Sequence, residues 1–92
     1  MEELIHGNRE LSPDAVSVLA LPDYRLRVRF VNGELRDFDM KPLLSRKCYR
    51  ALENKLLFNS AHVAFGTVQW ANGADLDPDW LYEDSVPVRA AV

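Results

Sequence analysis

The sequence predicts a single α+β domain: a mostly antiparallel sheet with short helices packed on one face and a short C-terminal helical turn. Three observations carry this. Tyr24-Arg25-Leu26-Arg27-Val28-Arg29-Phe30-Val31 alternates apolar with basic residues at the two-residue period of a strand. Between Lys41 and Ser60 that alternation gives way to a helical spacing. Two Asn-Gly dipeptides, Asn32-Gly33 and Asn72-Gly73, offer the positive φ at which a strand can reverse.

The chain has 92 residues, enough for one domain. With 48% hydrophobic and 27% charged residues it has the composition of a globular protein. Its net charge of −3 opposes non-specific binding to a phosphate backbone. A single cysteine, Cys48, leaves no internal disulfide. Met1-Glu2-Glu3-Leu4-Ile5 is acidic and short of apolar residues, unlike a signal peptide. No stretch approaches the roughly 20 apolar residues of a membrane span. The expectation is a soluble, cytoplasmic protein with no membrane contact.

In order, residues 1–14 read as a loose leader, 15–82 as the domain and 83–92 as a fraying tail. Ala15 to Leu21 is the first strand, with Val16 and Val18 on one face, and Leu21-Pro22-Asp23-Tyr24 is a turn. After the alternating strand, a two-residue Asn32-Gly33 hairpin would set Asp37 opposite Val28 and Asp39 opposite Leu26. Burying two carboxylates in that way is costly. A bulge between Leu35 and Asp37 avoids it, placing Phe38 opposite Val28, Met40 opposite Leu26 and Asp39 opposite Arg27. Pro42 opens a helical turn, and Ser45 caps a helix that turns Cys48, Leu52, Tyr49 and Leu56 inward. His62 to Phe65 and Thr67 to Trp70 are short strands joined at Gly66. Asp77 before Pro78 forms a cap and first turn, leading into Trp80, Leu81 and Tyr82. The plainest account of that last segment is a lid closing the core.

The chemistry-bearing residues form no catalytic or metal-binding pattern. His6, His62 and Cys48 lack zinc spacing. Asp75-x-Asp77-x-Asp79 lacks the glycine and bidentate glutamate of a calcium loop and suits a helix cap better. Cys48 reads as a small buried hydrophobe. No cofactor, metal or catalytic residue is expected, and the chain is read as not an enzyme. Arg25, Arg27 and Arg29 share one strand face, with Arg36 beside them, and could hold phosphates or an acidic segment. The plainer account is a solvated face neutralised by Glu34, Asp37 and Asp39.

Trp70-x-Asn72-Gly73-x-Asp75-Leu76-x-Pro78-x-x-Leu81-Tyr82 resembles the closing signature of a small bacterial family known as domain of unknown function 2442. Leu26-x-Val28-x-Phe30, Asn32-Gly33-Glu34, Asp39-Met40-x-Pro42-Leu43-Leu44, Leu52 and Phe58 are similar to it as well. The resemblance spans roughly residues 15–82 and implies a small α+β fold with no activity to carry over. Some members look fused to helix-turn-helix segments or stand beside another small protein, as in toxin–antitoxin pairs. Too few residues follow Tyr82 for such a segment here.

The expected function is therefore a non-enzymatic module binding a protein partner, antitoxin-like or regulatory. Its contact surface is formed by Trp80, Tyr82, Asp75 and Asp79. The alternative is nucleic-acid binding through Arg25, Arg27, Arg29 and Arg36, helped by Lys41, Arg46 and Lys47. A small enzyme using Cys48 or His62 comes third, and pairing of a sheet edge into a homo-oligomer is open.

Overall fold

The computed structural model describes residues 12–88. Strands β1 (Ala15–Leu21), β2 (Arg25–Phe30) and β3 (Leu35–Asp39) run antiparallel. A short strand β6 (Val86–Pro87) completes the sheet in the order β1-β2-β3-β6. A separate hairpin of β4 (His62–Ala64) and β5 (Thr67–Gln69) lies against β1. Between them come 3₁₀ turns and two short helices, α1 (Lys55–Phe58) and α2 (Pro78–Glu83). The architecture is α+β.

The β2–β3 hairpin departs from the expected register, and its turn explains why. The loop has three residues rather than two. Gly33 N–H donates to the Phe30 carbonyl at 2.9 Å, and Phe30 N–H donates to the Glu34 carbonyl at 2.9 Å. Gly33, at φ 92°, holds the extra residue inside the turn. No bulge is needed in β3. Leu26 faces Phe38, Arg27 faces Asp37, Arg25 faces Asp39 and Val28 faces Arg36. Trp70 to Ala74 repeats this turn: Gly73 sits at φ 91° and donates to the Trp70 carbonyl at 2.9 Å. In both turns the asparagine side chain accepts the N–H two residues on, Glu34 from Asn32 and Ala74 from Asn72.

A register shift does occur in β1, between Ala15 and Ser17. It buries Ala15 and throws Val16 outward, so Val16 and Val18 do not share the buried face. The segment after Arg46 is 3₁₀ (Lys47–Glu53) and has no side-chain cap, so Ser45 does not fill that role. At three residues per turn, Tyr49 and Leu52 align inward, while Cys48 is exposed. Leu56, on α1, is 85% exposed. The C-terminal segment does not fray at Glu83, which ends α2: Val86 and Pro87 pair with Asp37 and Arg36, and Val88 N–H reaches the Leu35 carbonyl. Residues 1–11 and 89–92, which include most of the expected leader and the end of the tail, lie outside the described residues.

One face of the sheet carries the core. Leu26, Val28, Phe30 and Phe38 pack under Leu43, Leu44, Tyr49, Leu52, Phe58, Val68, Trp70, Leu76 and Leu81. Each such side chain contributes about 1.5–3 kcal/mol on full burial. The Trp70 indole N–H donates to the Phe58 carbonyl and the Thr67 hydroxyl to that of Leu76, so these interior polar groups are matched.

Candidate functional site

Helix α2 starts as its sequence dictates. The Asp77 carboxylate accepts the N–H groups of Asp79 (2.9 Å) and Trp80 (3.1 Å), and Pro78 occupies the first turn. At about 100° per residue, Trp80 and Tyr82 must leave opposite sides of the helix, with Leu81 driven into the core between them.

Trp80 is half-buried. Its indole N–H donates to the Asp84 carboxylate one turn on, and the Arg46 guanidinium lies 5.3 Å from its ring centre. With Phe38, Asp39, Pro42, Leu43 and Asp84 it lines a groove of about 260 Å³. Buried Phe38 and Leu43 give this groove an apolar base, and Asp39 and Asp84 give it acidic walls.

Tyr82 does something else. Its hydroxyl donates to Glu34 Oε1 at 2.9 Å, and its ring meets Phe30 edge-on at 5.1 Å. Arg36 lies over it at 4.6 Å. The hydrogen bond to Glu34, then burial, raises its pKa above the ordinary tyrosine value. Tyr82 is therefore a brace, and it does not line the groove. Asp75 is exposed, with its carbonyl accepting the Tyr49 hydroxyl at 2.9 Å, and neither it nor Asp79 lines the groove. Of the four residues expected to act together, only Trp80 reaches that concavity.

Pro42, Leu43, Phe38, Asp39 and Asp84 complete the groove without having been singled out for it. The one local signal was Asp84, four residues beyond Trp80 and so on its side of the helix.

The basic residues divide as well. Arg25, Arg27 and Arg29 share the outer face of β2, as expected. Arg36 does not join them. It lies on the opposite face, across from Val28, where Nε donates to Ser85 Oγ (2.6 Å), Nη2 to the Ser85 carbonyl (2.8 Å) and Nη1 to Glu34 (3.1 Å). Asp37 takes the place foreseen for Asp39 opposite Arg27, accepting Nε at 2.8 Å and Nη2 at 2.9 Å. That hydrogen bond, chiefly, lowers the Asp37 pKa and raises that of Arg27, against the opposing effect of burial. Asp39 instead pairs with Lys41 at 3.1 Å.

Cys48 is exposed in the 3₁₀ segment, not a buried hydrophobe, and His62 is exposed with Nδ1 3.0 Å from the Ser60 carbonyl. Among the described residues no group of three or more His, Cys, Asp or Glu side chains could hold a metal ion. None of their helices is long and apolar enough to cross a membrane.

A family model described as protein of unknown function, DUF2442, matches residues 15–87. The chain belongs to this family. The match begins on the first residue of β1 and ends on the last of β6, so the DUF2442 unit takes in the segment after Tyr82 that closes the sheet. No curated protein and no solved structure matches this DUF2442 chain.

Proposed function

We propose that the chain is a non-enzymatic protein-binding module, antitoxin-like or regulatory, whose contact surface is the Trp80 groove. One observation carries the reading. A half-buried tryptophan forms an open wall over an apolar base, with carboxylates at the margin. An aromatic side chain beside a desolvated hollow is a common centre of protein contact energy. The chemistry of the lining fits a partner segment that inserts one aliphatic or aromatic side chain and sets a Lys or Arg against Asp84. Tyr82, held by Glu34 and Arg36, supports the helix from its other side.

The test is affinity purification of the tagged chain from its native host, beside a Trp80→Ala variant shown by circular dichroism to be folded. The expected result is one protein retained by the wild type and lost with the variant. Truncating a central aromatic costs about 2 kcal/mol or more, roughly 30-fold in affinity. A partner held equally by both proteins would move the surface away from the groove.

A further inference from the structure

The outer face of the sheet carries a second surface, which shares Asp39 with the Trp80 groove and otherwise uses different residues. Strand pairing places Leu19, Arg27, Asp37 and Val86 in one line across all four strands. Directly paired residues project to the same side, so this line lies on the face away from the core. Ser17, Arg29 and Leu35 form the next line, and Leu21, Arg25 and Asp39 the one on the other side. The face is thus a central row of three guanidiniums with aliphatic side chains along both margins. Leu19 is 59% and Val86 61% exposed, on a face that an ordinary solvated sheet would fill with polar residues.

The charge is directed as well as present. Asp37 engages Arg27 through Nε and Nη2 and approaches Arg25 Nη1 at 3.5 Å, which fixes those planes while leaving other N–H groups outward. Arg29 is exposed and has no carboxylate partner among the described residues. Three guanidiniums stand against one central carboxylate, since Asp39 is occupied by Lys41.

We infer that this face docks an acidic amphipathic helix of a protein partner, lying along β2. Alternate residues of a strand are about 6.8 Å apart. Carboxylates at i, i+4 and i+8 of a helix advance about 6 Å per step, so one acidic stripe can follow Arg25, Arg27 and Arg29. Apolar residues beside that stripe meet Leu19 and Leu21 on one flank and Leu35 and Val86 on the other. Nucleic acid fits less well. None of the residues in these three lines is aromatic, so bases have no stacking platform.

The experiment places the photocrosslinking residue p-benzoylphenylalanine at Leu19, at Val86 and, as a control, at Leu56 on α1. Each full-length chain is irradiated in its native host and its adducts are sequenced. The inference expects the Leu19 and Val86 probes to capture the same protein. The captured peptide should carry Asp or Glu at helical spacing beside apolar residues. Arg29→Glu, which breaks no ion pair within the described residues, should lower that capture about tenfold, while Leu56→Ala, on α1 away from both surfaces, should leave it unchanged. A nucleic-acid or lipid adduct, a peptide without acidic residues, or capture no greater than at Leu56 would overturn it.

Discussion

Arg27 and Arg36 stand on adjacent strands of one sheet, each bonded to a carboxylate, yet they do opposite work. Arg27 faces outward with its side chain 36% exposed and shares a single partner, Asp37. Arg36 faces inward at 16% exposure and uses all three of its nitrogens, while its plane covers the Tyr82 ring. Strand alternation assigned the two faces, and burial then decided the role. A guanidinium in water is available to others, whereas one at the edge of the core is committed to holding its own chain together.

The sharpest way to break this contrast is to remove each arginine in turn. Arg36→Ala strands Glu34 and Ser85 and uncovers Tyr82, at an expected cost of about 3 kcal/mol. For a domain of this size that lowers Tm by roughly 12–24 °C in a calorimetric scan. Tyr82→Phe keeps the ring but deletes its bond to Glu34, for about 1 kcal/mol in urea unfolding. Because the folded-state pKa of Tyr82 is raised, its contribution is whole below a pH of about 10 and fades as pH rises through the folded value. Phenylalanine there should flatten that alkaline decline.

On the outer face, Arg27→Ala should cost less than about 1 kcal/mol. The folded-state pKa of Asp37 is lowered, so its contribution is present above a pH of about 4 and drains away as acid protonates it. Asp37→Asn should therefore be less stable than wild type at neutral pH and converge with it in acid. Smallest of all, Arg29→Ala should change stability by no more than about 0.5 kcal/mol. An Arg27→Ala loss equal to that of Arg36→Ala would erase the distinction between the faces.

Much of this fold was legible in the sequence because the signals were local. The alternation of β2, the Asp77-Pro78 cap and both Asn-Gly reversals depend on residues within a few positions of one another. What escaped was loop length. Asn-Gly serves two-residue and three-residue turns alike, and the choice sets every pairing beyond it. That is why Asp37 rather than Asp39 met Arg27, and why the association of Arg36 with the basic row failed. Cys48 departs from its expected inward place because the chain there runs at three residues per turn rather than 3.6. The Trp80 groove was only partly legible. Phe38, Asp39, Pro42 and Leu43 come from a different part of the chain than α2, and tertiary packing alone brings them together.

Pro87 has a consequence for how the molecule tolerates its own concentration. It occupies the outermost strand of the sheet, which is only two residues long, and it has no N–H to offer a stranger. At the opposite margin, the β4–β5 hairpin lies against β1 and the Gly66 carbonyl accepts the Ala15 N–H. At the β6 margin, among the described residues, little ladder is left for another chain to extend, so edge-to-edge pairing there is opposed by backbone chemistry rather than by surface charge.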